Sequence, residues 1–134
     1  MKVRGVFLVC AVLALGGCAR PLRDGVYTGR SSGDDAGAFG EITITVAGGR
    51  VTACEFVTWQ KDGSAKGADY GKVNGAVSNR DYYEKAQLAV RAMESYARQY
   101  GATGKLDSVD AITGATISWN QFMEAAGQAL EKAK

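Results

Sequence analysis

The stretch that decides the fold is FGEITITVAGGRVTACEFVTW, residues 39–59. Apolar and polar side chains alternate in it from position 41 to 46, at the two-residue period of a strand with one buried face. A Gly-Gly pair follows, and two glycines supply the positive φ angles that a tight hairpin turn requires. The pattern therefore predicts strands over residues 39–47 and 50–59, paired antiparallel as a hairpin.

The segments on either side of this hairpin lack helical periodicity. A brief strand is expected over residues 25–29, and residues 60–77 form a long loop rich in glycine, aspartate and lysine. Long loops in compact domains usually carry a function, so this one is a candidate part of a binding site.

Two helices are predicted after the loop. Apolar residues recur at spacings of three and four over residues 82–100, and Gly101 stands where a C-cap glycine belongs. Ser78, Asn79 or Asp81 can cap the start of this helix, and the sequence does not choose between them.

The second predicted helix covers residues 119–132, with Ser118 and Gln121 as a capping box at its start. With the hairpin, these elements give an α+β fold in which a small antiparallel sheet packs against two helices.

The composition excludes several classes of chemistry. The chain has 134 residues, three cysteines and no histidine. Without an imidazole there is no Ser-His-Asp triad, no His-containing zinc site and no axial histidine for a haem. We expect no metal site, and any chemistry must come from a bound cofactor or from other groups.

The N-terminal segment has the pattern of a secretory signal. Lys2 and Arg4 precede an apolar run over residues 6–15, which is about half the roughly 20 residues that a membrane-spanning helix needs. A plain cleavable signal and an uncleaved anchor are the alternatives to a lipoprotein signal.

Residues 15–18, Leu-Gly-Gly-Cys, resemble the lipobox of bacterial lipoproteins. The resemblance implies that residues 1–17 are a lipoprotein signal peptide and that Cys18 is acylated. Residues 18–24 would then be a lipidated tether, and residues 25–134 the folded domain. We expect a protein of the bacterial cell envelope that is extracytoplasmic and lipid-anchored to a membrane, with the choice of membrane left open.

Loss of the signal peptide would leave 14 basic and 14 acidic residues, so no basic surface indicates nucleic acid binding. Cys54 would be the one remaining thiol, which cannot form an internal disulfide. We interpret it as a small buried residue in an apolar stretch rather than as a reactive thiol.

Residues 110–118, DAITGATIS, place hydroxyl groups and a glycine directly before a helix start. The first amides of a helix lack internal acceptors and carry partial positive charge, so a phosphate group is stabilised there. Ser118 is a candidate contact in this seat. The alternative interpretation is a strand-to-helix turn whose threonine and serine side chains only cap the helix.

The run Asp110-x-x-Thr113-Gly114-Ala115-Thr116 resembles the flavinylation motif, Asp-x-x-Ser/Thr-Gly-Ala-Thr/Ser, of FMN-binding domains. Members include the C subunit of sodium-pumping NADH:quinone reductase and the G subunit of the Rnf complex. The resemblance implies that a flavin transferase attaches FMN covalently to Thr116 through a phosphoester bond. Asp110, Thr113, Gly114 and Ala115 would be recognition and support residues.

The sequence does not decide which residues contact the isoalloxazine ring of the flavin. Trp59, Tyr70 and Trp119 are candidate aromatic contacts, and ordinary packing is the alternative for each. Lys66 is a candidate for offsetting charge on a reduced flavin, or else it is a solvated loop lysine.

The resemblance favours an electron-transfer flavoprotein that takes electrons from one redox partner and passes them to another, both unidentified. Such a protein is an electron carrier rather than a self-contained enzyme. The alternatives are a flavin-free surface lipoprotein that acts as a binding or interaction module, and a small reductase with its own exchangeable substrate.

Overall fold

A computed structural model describes residues 20–134 of the chain. Its elements are β1 (Gly25–Arg30), β2 (Phe39–Ala47), β3 (Arg50–Trp59), α1 (Arg80–Thr103), a short 3-10 helix (Leu106–Ser108) and α2 (Thr116–Ala133). The predicted α+β class is confirmed. The predicted signal peptide and the lipidated Cys18 lie outside the described residues. Within residues 20–134, no helix is both long and apolar enough to cross a membrane.

The predicted hairpin forms with its predicted bounds. β2 pairs antiparallel with β3 along the length of both strands, with one irregularity between Thr45 and Val46. Gly48 and Gly49 in the turn have φ angles of 63° and 78°, which glycine adopts without steric cost. β1 pairs antiparallel with the other edge of β2, so the strand order is β1-β2-β3.

The core lies between one face of the sheet and the two helices. Ile42, Ile44 and Val46 of β2 are fully buried on this face, as the alternation predicts. α1 packs on β3, and α2 packs on β1 and β2. Phe122 of α2 fills the centre, with its ring edge-on to that of Phe56 at a centroid distance of 5.2 Å.

β1 and α2 approach each other closely because small residues form the contact. A Cβ atom on Gly29 would lie 1.9 Å from the carbonyl oxygen of Ala125 and 2.8 Å from the amide nitrogen of Ala129. Both alanines are fully buried. Only hydrogen at position 29 leaves room for this packing.

The outer edge of β1 is covered by side chains of α2. The Gln128 side-chain oxygen accepts a hydrogen bond from the Arg30 amide at 3.2 Å. The Lys132 ammonium group donates to the Thr28 carbonyl oxygen at 2.7 Å. These bonds satisfy backbone groups that an edge strand otherwise leaves open.

The N-terminus of α1 has a cap that the sequence offered as a candidate, whereas its C-terminus differs from the prediction. Asn79 is the N-cap, and its side chain accepts a hydrogen bond from the Tyr82 amide at 3.0 Å. The predicted C-cap, Gly101, is wrong, because the helix continues to Thr103 and the C-cap is Gly104, whose φ is 66°. Gly101 instead lies against β3, where a Cβ would be 3.1 Å from the Cys54 amide nitrogen.

The predicted start of α2 is also wrong. The helix begins at Thr116, three residues earlier than predicted, and it has no side-chain cap. Ser118 lies inside the first turn and is buried. Gln121 does not complete a capping box, because its side-chain amide donates to the Ala38 carbonyl oxygen at 2.8 Å.

Residues 60–77 form the predicted loop, with no helix or strand in it and only isolated bridges at Ala65 and between Val73 and Ala76. The Gln87 side chain of α1 donates to the carbonyl oxygens of Gly67 at 3.1 Å and Tyr70 at 2.9 Å. The loop is therefore held against α1.

We expect Gly29→Ala to lower the free energy of unfolding by about 2 kcal/mol or more, because the added methyl group overlaps the α2 backbone. Gly127→Ala is the matched control, since a Cβ there meets nothing within 4 Å. It should raise stability by about 0.5–1 kcal/mol, as alanine favours a helix over glycine. Urea denaturation measures both, and equal effects would contradict the proposed contact.

Two groups on the core side of β3 and α1 hold their protons tightly. Burial, with a smaller contribution from Glu55, raises the pKa of Cys54 to about 12. Burial also raises the pKa of Tyr100 to about 12, and Cys54 adds to that shift. Cys54 is partly buried against the core, and such a thiol is a poor nucleophile near neutral pH.

The unfolded chain loses these two protons at lower pH than the folded protein does, so stability should fall as the pH rises from about 9 to 12. Cys54→Ala removes one of the two groups and should lose less stability over that interval. Urea unfolding at pH 8 and pH 11 tests this, and an identical loss in both proteins would refute the assignment to Cys54.

Candidate functional site

The segment that resembles the flavinylation motif runs from the 3-10 helix to α2, and side chains of α1 hold its first half. The Asp110 amide donates to the Gln99 side-chain oxygen at 3.1 Å. The Ile112 amide donates to the Tyr96 hydroxyl oxygen at 3.0 Å. The segment is thereby attached to a rigid helix.

Gly114 makes the turn into α2. Its φ is 86°, and a Cβ there would lie 3.1 Å from the Cδ2 atom of Leu88. The Ala115 amide donates to the Ile112 carbonyl oxygen at 3.1 Å and closes the turn. Ala115 is buried, so the chain enters the helix from a packed position.

The start of α2 leaves three backbone amides without acceptors. The first amide to make the helical hydrogen bond is that of Trp119, which donates to the Ala115 carbonyl oxygen. Within residues 20–134, no acceptor bonds to the amides of Thr116, Ile117 or Ser118. Three free amides and the positive end of the helix dipole form a site for an anion.

A cleft of about 750 Å³ opens beside these amides. Its walls come from the motif, from the next two turns of α2, from the loop between β1 and β2, and from the long loop after β3. The lining residues on which the site depends are Ser32, Asp34, Lys66, Tyr70, Gly114, Ala115, Thr116, Ser118, Gln121 and Glu124.

The loop between β1 and β2 is held in place as one wall of the cleft. The Glu124 carboxylate of α2 accepts hydrogen bonds from the Ser32 amide at 2.9 Å and from the Ser32 hydroxyl at 2.8 Å. The Asp34 carboxylate accepts from the amides of Ala36 at 3.0 Å and Ala38 at 2.9 Å. This wall is therefore formed before any ligand binds.

Lys66 and Tyr70, from the long loop after β3, form another wall of the cleft. The Lys66 nitrogen lies 3.8 Å from an Asp34 carboxylate oxygen and 4.9 Å from the centroid of the Tyr70 ring. A smaller cavity of about 300 Å³ continues past them to Tyr82. The Tyr70 side chain raises the pKa of Tyr82, with burial as a smaller cause.

The predicted site residues fall into two groups. Gly114, Ala115, Thr116, Ser118 and Tyr70 meet at the cleft. The others lie outside it: Asp110, Thr113, Trp59 and Trp119.

Trp59 and Trp119 have structural positions that explain their absence from the cleft. Trp59 pairs with Phe39 on the sheet face away from the helices, because the two-residue period places buried Thr58 on the other face. The Trp119 ring packs edge-on against Tyr96 at a centroid distance of 5.2 Å. Neither indole is among the cleft-lining side chains.

Sequence reasoning missed Gln121, Glu124 and the residues of the loop between β1 and β2. Gln121 and Glu124 follow Ile117, which also lines the cleft, by four and seven residues, so a helical projection from Ile117 would have placed them on one face. No pattern in the sequence identifies the loop as the opposite wall, because its contacts with α2 are long-range.

Comparison with known proteins identifies the family. The FMN-binding domain family matches residues 37–131. The chain belongs to this family. The match spans the hairpin, α1, most of α2 and the part of the cleft that follows residue 37, so this FMN-binding domain is a flavoprotein module whose cofactor is FMN. The resemblance drawn from the motif is confirmed.

Solved structures with a similar fold come from two clostridia. The crystal structure of a protein from Clostridium perfringens has a TM-score of 0.64 and 23% sequence identity, over 84% of this chain and 88% of that one. A solution structure from Clostridium thermocellum has a TM-score of 0.49 and 21% identity, over 84% and 93%. A search of curated proteins finds no match.

The residues of the cleft fit FMN. The free amides of α2 suit its phosphate group, and Gly114 gives backbone access where a side chain would obstruct it. The Gln121 side-chain nitrogen donates to the Ala38 carbonyl oxygen. The buried Gln121 side-chain oxygen accepts no hydrogen bond within residues 20–134. A ligand with hydroxyl donors, such as the ribityl chain, suits a site with an unsatisfied acceptor.

We expect Gly114→Ala to lower the free energy of unfolding by about 1–2 kcal/mol, because its positive φ disfavours residues with a Cβ. It should also reduce the flavin content of purified protein. Gly75→Ala is the control, since Gly75 has a φ of 77° and open space around it. Similar destabilisation with full flavin content is expected there. Full flavin content in Gly114→Ala would contradict the role of the turn.

Proposed function

We propose that Thr116 carries FMN through a phosphoester bond and that the protein is an extracytoplasmic electron carrier, anchored to a membrane through lipid on Cys18. The observation that carries the proposal is the position of Thr116. It is the first residue of α2, it borders the cleft, and its side chain is exposed.

The electrostatics of the helix start support this attachment. A phosphodiester on the Thr116 oxygen keeps one negative charge close to the three free amides. In a turn that only caps a helix, a side-chain oxygen would accept from these amides, and α2 has no such side-chain cap. The capping interpretation of this segment therefore loses its support.

The attachment reaction balances as a phosphoryl transfer from FAD. The Thr116 oxygen bonds to the phosphorus of the FMN half, the pyrophosphate bond breaks, and AMP leaves, while the hydroxyl proton passes to a base on the flavin transferase. Asp110 and Thr113 are exposed and lie outside the cleft. This position suits recognition by the transferase better than contact with the bound cofactor.

Bound FMN would supply one-electron and two-electron redox chemistry. The chain's own contribution is to hold the cofactor, to orient it and to tune its environment. Thr116 and Ser118 hold the phosphate end, while Tyr70 and Gln121 line the cleft farther on. An attached flavin is retained outside the cytoplasm and can meet a donor and an acceptor protein in turn. Both partners are unidentified.

The contacts of residues 22 and 23 support a cofactor that points away from the proposed membrane anchor. The Leu22 amide donates to the Gly49 carbonyl oxygen, and the Arg23 amide donates to the Ala133 carbonyl oxygen. Residues that follow the proposed anchor are thus attached to the C-terminal end of α2. Thr116 lies at its N-terminal end, roughly 27 Å away for an 18-residue helix.

Co-expression with a flavin transferase should yield a Thr116 peptide heavier by FMN less one water. Thr116→Val should abolish this mass and the flavin absorbance, because valine has no hydroxyl group. Thr116→Ser is the control, and it should retain both. Peptide mass mapping of protein from the native envelope reads the acylation of Cys18 in the same experiment.

Three outcomes would overturn parts of this function. Flavin retained by Thr116→Val would refute the attachment site. Colourless protein from the native envelope would favour a flavin-free binding module. Saturable turnover of a small acceptor by the isolated flavoprotein would indicate a reductase.

A further inference from the structure

Lys66 has a largely buried side chain that lines the cleft and makes no side-chain hydrogen bond within residues 20–134. Only 10% of its side chain is exposed. Its ion-pair partner among residues 20–134, Asp34, has a carboxylate oxygen 3.8 Å from the Lys66 nitrogen. The three N–H donors of the ammonium group are therefore available to a ligand in the cleft.

Asp34 cannot move to satisfy Lys66 without giving up its own bonds. One of its carboxylate oxygens accepts from the amides of Ala36 and Ala38, and the other oxygen is the one that faces Lys66. The carboxylate therefore shapes its loop and contributes only part of the compensation for the Lys66 charge.

The backbone of Lys66 is held as well. Its amide donates to the Thr58 carbonyl oxygen of β3 at 2.8 Å, and the Tyr70 ring lies beside its ammonium group. The position thus comes from sheet pairing and not from a free loop. Among the described residues that line the cleft, Lys66 is the only cation, while Asp34, Asp35 and Glu124 are acidic.

We propose that Lys66 donates to the pyrimidine edge of the FMN ring, at N1 and the C2 carbonyl oxygen, and that it favours the reduced flavin. The inference rests on the proposed function, since it needs FMN attached at Thr116. Thr116 and Lys66 line the same cleft, so the phosphate would lie at the helix amides and the ring at the lysine.

The reason is where charge appears on reduction. A neutral oxidised ring that gains two electrons and one proton, the proton at N5, carries one negative charge, which is concentrated at N1 and the C2 oxygen. A nearby ammonium group in a partly desolvated site stabilises that charge, and a carboxylate destabilises it. Lys66 and Asp34 should therefore act on the reduction equilibrium with opposite signs.

The test uses the full chain flavinylated on Thr116, with attachment verified by mass, and titrates it with dithionite against a reference dye. Lys66→Met should lower the equilibrium constant for two-electron reduction about tenfold, which is about 30 mV. Asp34→Asn should raise it, because the asparagine oxygen still accepts from the two loop amides while the negative charge is gone. Lys66→Arg should remain close to the unsubstituted protein.

Lys72→Met is the matched control. Lys72 lies in the same loop, but it pairs with Asp69 at 2.8 Å and does not line the cleft. It removes the same charge and should leave the potential almost unchanged. This comparison separates a contact with the ring from a general effect of net charge.

The outcomes distinguish the two proposals. Absence of flavin from the unsubstituted Thr116 peptide overturns the proposed function and the Lys66 assignment together. Flavin on Thr116 with equal potentials in Lys66→Met and the unsubstituted protein overturns the Lys66 assignment alone. If Lys66→Met does not take up flavin, the reduction potential of Asp34→Asn tests the proposal instead. A potential that is unchanged or lowered in this variant would overturn the proposed opposite effects of Lys66 and Asp34.

Discussion

The close contact between β1 and α2 is the constraint on which the site depends. Gly29 and the buried alanines at 125 and 129 bring backbone against backbone, so the helix cannot slide or rotate without a clash. A shift of one residue along the axis would move Thr116 by about 1.5 Å and turn it by about 100°. The direction of the free amides therefore depends on the contact between β1 and the middle of α2.

Two regions of positive charge line the cleft. One is the start of α2, where the charge is partial and belongs to the backbone. The other is Lys66, where the charge is formal and is moderated by Asp34. Gln121 and Glu124 also line the cleft, and they hold the loop between β1 and β2. Such a site matches a ligand with a phosphate at one end and an electron-accepting ring at the other.

The sequence predicted what local patterns control. The alternation in residues 39–59 predicted the hairpin, and the motif predicted an anion seat before a helix, although α2 begins three residues earlier than predicted. Prediction from the sequence failed where a residue makes a contact with a distant part of the chain. Gly101 has the pattern of a helix C-cap, but it allows α1 to pack closely on β3. Gln121 has the pattern of a capping-box residue, but its side chain bonds to Ala38. The walls of the cleft escaped prediction because three segments, far apart in the chain, contribute to them. Trp59 was a candidate because it lies at the end of a strand, beside the long loop. The two-residue period of that strand places its side chain on the sheet face away from the helices.

The covered edge of β1 bears on how the protein behaves at high local density. An open strand edge is a template for pairing with another chain, and proteins concentrated on a surface meet one another often. Gln128 and Lys132 occupy the exposed amide and carbonyl of that strand with side chains that cannot propagate a ladder. Another chain would therefore have to displace these two side chains before it could pair along this edge of β1.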